Sequence, residues 1–205
     1  MELYKVHLQN PHKRIIQKAV DALSEGKIII YPTDTVYGIG CNINNKQAIE
    51  RVYKIKGKSK FAPMSIICGS IKQASKYVRI SNFAFRVLRK CFPGPYTVIL
   101  EATKETPKLM LSRRKEIGIR IPESIVAIEL VENLGNAILS TSINLTGTET
   151  LISPEEIKNT FNAKVDILLD GGILPEPIPS TVLKIENNNV EIIREGKGSL
   201  QNINI

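Results

Sequence analysis

The sequence predicts a single domain of the α/β or mixed α+β class, built on one main sheet. Three observations carry this. Short apolar strand-like runs and capped amphipathic segments are mixed along the whole chain. No repeat, low-complexity tract or separating linker divides the 205 residues, a length that suits one domain. A hydrophobic content of 42 % and a charged content of 23 % are those of a globular chain with a sizeable core.

Taken in order, Asn10 is placed to cap a helix with Pro11 at its first position, Ile15, Ile16, Ala19, Val20 and Leu23 on one face, and Gly26 at its end. Ile28 to Tyr31 is a continuous apolar run, as in a strand buried on both faces. YPTDTVYGIG then lays out hydroxyls and two glycines in what reads as a decorated turn or the wall of a site. There Thr33 and Thr35 share a side if the backbone is extended, and Gly38 and Gly40 let the chain pass close to a ligand. Lys46 to about Ile55 has helical spacing, and Met64 to Cys68 reads as a strand. Ser81 caps a helix that Phe92-Pro93-Gly94-Pro95 stops. Strands at Thr97 to Ala102 and Ile117 to Ile121 precede a helix around Ile125 to Leu134, ended by Gly135, and a strand at Ala137 to Thr141. Ser153-Pro154-Glu155-Glu156 is a capping box opening a helix to about Phe161. Three more strands follow at Val165 to Leu169, Thr181 to Ile185 and Val190 to Arg194.

The N-terminus has no apolar h-region, and no window approaches the roughly 18 apolar residues of a membrane span. The expectation is a cytoplasmic protein without a membrane partner. Cys41, Cys68 and Cys91 are odd in number and unpaired in spacing, which argues for reduced thiols and against a zinc site. The only histidines, His7 and His12, lie far from any strand-end loop, against a Ser-His or Cys-His hydrolase. Gly57-Lys58-Ser59 imitates a P-loop end, but the required earlier glycine is Val52. A dinucleotide fingerprint fails because Ile43 stands at its third glycine.

What remains is polar and largely cationic. The net charge of +8 favours anionic partners such as nucleotides, RNA or carboxylates, and is equally a soluble basic surface. Lys56-Gly57-Lys58 can turn two ammonium groups toward one anion. Arg120 sits inside the apolar run IGIRIP, where a bound carboxylate or a structural salt bridge would satisfy it. Alternation sends Ser140 and Ser142 to one side of STSIN, with Asn144 following. Pro179-Ser180-Thr181 and Arg194-Glu195-Gly196 repeat this style. Together these segments suggest an anion-binding cavity that works by positioning and charge, without a covalent nucleophile.

The ordered series YPTDTVYGIG, KGK, PGPYTVIL, IGIRIP, STSIN, PSTV and IIREG resembles the YrdC-like family of threonylcarbamoyl-AMP synthases over residues 8–199, with the N-terminal style and the REGKG ending most similar to its YciO branch. The resemblance implies one α/β domain, with no second domain, whose twisted mixed sheet is flanked by helices and carries a basic concave cleft. It implies a nucleotidyltransferase that converts L-threonine, bicarbonate and ATP, with Mg2+ as cofactor, to threonylcarbamoyl-adenylate and pyrophosphate. Partner transferases then modify tRNA. The family's K-x-R and S-x-N carry over to Lys56, Lys58, Ser142 and Asn144 as catalytic residues. Lysine at 58 keeps the charge but loses the planar fork of arginine. Thr33, Thr35, Arg120 and Ser180 would hold threonine; Lys56, Lys58, Ser140, Ser142, Asn144 and Arg194 would hold the nucleotide. Competing readings are a protein that binds tRNA or double-stranded RNA, and an adenylating enzyme with another substrate.

Overall fold

The computed structural model describes residues 1–57, 62, 64–112, 114–143 and 151–203. In chain order its elements are β1 (Glu2–Lys5), α1 (Lys13–Ser24), β2 (Ile29–Tyr31), β3 (Gly38–Asn42), α2 (Lys46–Ile55), β4 (Ser65–Ile67), α3 (Ile71–Ala74), α4 (Asn82–Cys91), β5 (Tyr96–Glu101), β6 (Glu116–Arg120), α5 (Ile125–Leu134), β7 (Ile138–Ser142), α6 (Pro154–Phe161), β8 (Ile167–Asp170), β9 (Thr181–Glu186) and β10 (Asn189–Arg194). Short 3-10 turns lie at Lys108–Met110 and Leu200–Asn202.

Caps set most helix starts. Asn45, Ser81 and Ser124 each accept the amide three residues on, at Ala48, Ala84 and Ala127, and these contacts satisfy one orphan donor of each helix. Gly135 ends α5 and Gly26 follows α1, both with positive φ. Two expectations shift. The first helix begins at Lys13 rather than beside Pro11, because His7 Nδ1 takes the amides of Gln9 and Asn10 and holds that stretch in a turn. Ser153 opens α6 without a side-chain cap bond.

The described strands form one ten-stranded mixed sheet in the order β1-β8-β2-β3-β7-β4-β6-β5-β9-β10. Alternate residues of its strands face two cores. On one face, Ile30, Ile39, Leu139, Ile66, Ile119, Val98 and Leu183 pack with residues of α2, α3, α4 and α6. On the other, Ile29, Tyr31, Ile67, Ile138, Ile167 and Leu169 pack under α1 and α5. These two helices cover only part of their face. Beyond Ile138 and Ile67 the same face continues as Ser140, Ser142 and Ser65, and there the surface opens.

Candidate functional site

The open part of the face is a cavity of about 670 Å3. One register row crosses it: Gly40 pairs with Ser140, Ser140 with Ser65, Ser65 with Gly118, Gly118 with Ile99, and Ile99 with Lys184. Small side chains in the middle of the row leave the depression, where the covered half of the face has isoleucine and tyrosine. A Cβ on Gly118 would come within 3.0 Å of Thr97 Cγ2 and 3.2 Å of Ser65 Cβ.

Gly38 and Gly40 lie in β3, a strand where the sequence reads as a turn. The close approach they permit is internal. A Cβ on Gly40 would meet Leu139 O at 2.6 Å and Tyr31 Cε1 at 3.1 Å, and one on Gly38 would meet Tyr31 Cζ at 3.2 Å. The Tyr31 ring therefore lies across β3, and its hydroxyl donates to Ser140 Oγ at 2.7 Å, two strands away. Burial pushes the Tyr31 phenol well above its ordinary range, so it stays a neutral donor. This bond joins the covered and open halves of the face.

The segment after β2 wraps Arg120. Its Nη2 donates to Asp34 Oδ1 at 2.5 Å, Thr35 Oγ1 at 2.7 Å and Thr33 Oγ1 at 3.3 Å. Thr33 and Thr35 do share a side, with their hydroxyl oxygens 3.2 Å apart. The salt bridge left open by the sequence is thus present, and both side chains are 11 % exposed. It is incomplete: Asp34 Oδ2 and Arg120 Nε are buried without partners. The guanidinium lines the cavity, and its unpaired Nε–H is itself buried.

Arg194 reaches the same cavity through a β-bulge. Ile192 faces Leu183 but Arg194 faces Val182, so Ile193 is the extra residue and both Ile193 and Arg194 line the cavity. Burial, and after it the Arg120 charge, pulls the Arg194 guanidinium below its ordinary value. Two guanidinium groups facing one cavity, Arg120 largely buried and Arg194 still exposed, favour an anion between them. Arg194 also donates to Ser180 O from Nη2 at 2.8 Å, while Ser180 Oγ is 2.9 Å from Thr97 Oγ1. Gly196 makes this stacking possible, since a Cβ there would sit 2.3 Å from Pro179 O.

Lys56, at the end of α2, is 3 % exposed and donates to Ser142 O at 2.7 Å. It touches the end of β7 rather than standing free in solvent. The structure thus brings Thr33, Arg120, Ser140, Ser142, Ser180 and Arg194 to one cavity, with Thr35 behind Arg120 and Lys56 at the β7 end. Lys58 and Asn144 lie outside the described residues.

Sequence reasoning missed two groups. Asp34 gave no local sign of pairing with a residue 86 positions away. Lys184 carries 7 % side-chain exposure and binds Glu116 Oε1 at 2.9 Å and Glu186 Oε2 at 3.0 Å. Those contacts, Glu116 first, raise the Lys184 ammonium above its ordinary value. A lone lysine inside the apolar run TVLKI is the same signal that singled out Arg120, and would have found it. No helix among the described residues is long and apolar enough to cross a membrane.

With the geometry in hand, the chain can be set beside known proteins. The Sua5_yciO_yrdC family, described as telomere recombination, matches residues 21–196. A protein of Escherichia coli (strain K12) named Uncharacterized protein YciO is 38 % identical over 202 residues, 98 % of each chain. Its fold is also similar: the crystal structure of E. coli YciO superposes with a TM-score of 0.93 at 37 % identity, over 99 % of this chain and 100 % of that one. A Methanocaldococcus jannaschii protein named Putative threonylcarbamoyl-AMP synthase is 32 % identical over 203 residues, 99 % of this chain and 95 % of the relative. P. abyssi Sua5 complexed with L-threonine has a TM-score of 0.92 at 25 % identity, over 99 % of this chain and 60 % of that one.

Proposed function

The chain belongs to the Sua5/YciO/YrdC family, and on that premise we propose that it is a threonylcarbamoyl-AMP synthase, using L-threonine, bicarbonate and ATP. The observation that carries the reading is the Arg120–Arg194 cavity, with hydroxyls on its walls. Relatives named for this activity, and a Sua5 structure with threonine bound, support it.

Bicarbonate and ATP are anions and threonine brings a carboxylate, so the first task is to overcome the repulsion among these groups. Arg120 takes the threonine carboxylate with the donors that Asp34 and the two threonines leave over, and Thr33 and Ser180 border the amino acid. The amine attacks the bicarbonate carbon and water leaves, giving a carbamate. A carbamate oxygen then attacks the α-phosphorus in line, and the bond to the β-phosphate breaks to release pyrophosphate. Lys56 and Lys58 draw charge from the phosphates, Ser140, Ser142 and Asn144 orient the nucleotide, and Arg194 neutralises the reacting centre. Among the described residues no three His, Cys, Asp or Glu side chains converge to hold a metal. Mg2+ would accordingly be held by ATP phosphates and water, its common mode, and supply charge neutralisation there. The product is a reactive mixed anhydride, which a transferase acting on tRNA would consume.

Purified protein given all three substrates is expected to release pyrophosphate only when both threonine and bicarbonate are present. Release that ignores either omission contradicts the reading. Serine and other amino acids, competed against threonine in the same assay, test the choice of amine.

A further inference from the structure

Ser180 and Arg194 reach the cavity from the last two strands in the sheet order, and a residue outside the cavity braces both. Alternation along β9 turns Ser180 and Val182 to the cavity and Thr181 to the opposite face, where it is fully buried. The peptide between Ser180 and Thr181 is held on two sides. Its N–H donates to Pro95 O at 3.0 Å, and its carbonyl accepts from Arg194 Nη2 at 2.8 Å and Nε at 3.3 Å. The guanidinium therefore hangs on the strand that carries Thr181.

The backbone behind that guanidinium has a second hold. The ladder of β9 and β10 ends at the pair Arg194–Val182, just past the bulge. Beyond it the Thr181 hydroxyl takes over: Oγ1 donates to Gly198 O at 2.7 Å and accepts from Gly196 N at 3.0 Å. Lys197 N donates to Pro179 O at 2.9 Å, so residues 196–198 are laced to residues 179–181. The lacing is tight. A Cβ on Gly196 would lie 2.6 Å from Ser180 O, and one on Gly198 would lie 2.4 Å from Tyr96 Cε1. One hydroxyl thus serves two peptide groups on the chain that follows Arg194. Valine has nearly the shape of threonine but neither the donor nor the acceptor.

We propose that Thr181 is a positioning residue: its hydroxyl, without touching a ligand, sets the backbone from which Arg194 presents its guanidinium to an anion. An exposed arginine gives up rotamer freedom when it is held to one anion, and a backbone fixed in advance lowers that cost. The proposal rests on the anion-binding part of the synthase reading and adds a residue that stands behind the cavity wall.

Titration calorimetry on the full chain with inorganic triphosphate tests this, beside threonine-dependent pyrophosphate release, at a temperature where circular dichroism shows each variant folded. Thr181→Val is expected to weaken triphosphate binding about tenfold, the effect of leaving a buried donor and acceptor unpaired. Thr181→Ser, which keeps the hydroxyl, should stay within about twofold of the original. With Arg194→Ala already present, adding Thr181→Val should change the affinity by less than about twofold, because no guanidinium remains to be placed. A threonine that merely held the fold together would cost the same in both backgrounds. Thr181→Ala also removes the hydroxyl and gives the same comparison should the valine variant not fold. Unchanged affinity on loss of the hydroxyl, or an equal loss with and without Arg194, overturns the proposal. An Arg194-dependent loss of binding without threonine-dependent pyrophosphate upholds the positioning and removes the synthase reading. Threonine-dependent release alongside unchanged triphosphate affinity does the reverse.

Discussion

Two halves of one sheet face differ in a single respect, the size and polarity of residues at equivalent alternating positions. Under α1 and α5 the strands present Ile29, Tyr31, Ile67, Ile138, Ile167 and Leu169, and the helices answer with Leu23, Val126, Leu130 and Val131. A few residues along, the same strands present Ser65, Ser140 and Ser142, and neighbouring β6 presents Gly118 and Arg120. Among the described residues no helix covers them. Fully buried branched side chains each stabilise by about 1.5–3 kcal/mol, so the covered half holds the sheet together. The open half forgoes that stabilisation and leaves its polar groups lining the cavity.

Variants should separate the halves. The largest effect expected is for Arg120→Ala, which removes a cation from the cavity and strands Asp34: threonine-dependent turnover should fall about 1,000-fold, or about 4 kcal/mol. Adding Asp34→Ala should restore the melting temperature and leave the rate low, which distinguishes the ligand role from the salt bridge. In the covered half, Leu130→Ala should cost about 3 kcal/mol in urea unfolding, in the range for a buried leucine, and leave kcat/KM near the original at permissive temperature. A Leu130→Ala enzyme that stays stable, or loses substrate affinity, would erase the distinction. Gly196→Ala should lower activity about tenfold (about 1.4 kcal/mol) by displacing Pro179 and Ser180, with little change in KM for bicarbonate. Tyr31→Phe deletes a hydroxyl bridging the halves and should cost about 1 kcal/mol in unfolding free energy.

The legibility of the sequence follows the same division. Helices α2, α4 and α5 lie close to where apolar spacing, the Ser81 cap and the Gly135 stop place them, because these are local signals. Strand β3 was not legible, since Gly38 and Gly40 imitate a turn and their purpose, room for the Tyr31 ring, is visible only across strands. Strand β1 carries four largely exposed residues and no apolar alternation. In the site, a lone arginine in an apolar strand announced itself. Its counter-ion did not, and neither did the bulge that turns Arg194 into the cavity.

The third surface, the core on the opposite face, provides the smallest expected effect. Burial pushes the thiols of Cys41, Cys68 and Cys91 from 9.0 to about 12. In the unfolded chain they ionise first, so their contribution to stability is complete below pH 9 and is lost as pH rises from 9 toward 12. A thiol reagent at pH 8 should label the native protein negligibly and all three cysteines after denaturation. Rapid native labelling would show that this core admits water.

The central claim is that ligand chemistry belongs to the open half of the face alone. Amide chemical-shift mapping by NMR during titration with L-threonine and ATP tests it most directly. Perturbations are predicted at Thr33 to Gly38, Arg120, Ser140, Ser180 and Arg194, with α1 and α5 unmoved. Shifts centred on α1 and α5, or none at the cavity under saturating ligand, would contradict it.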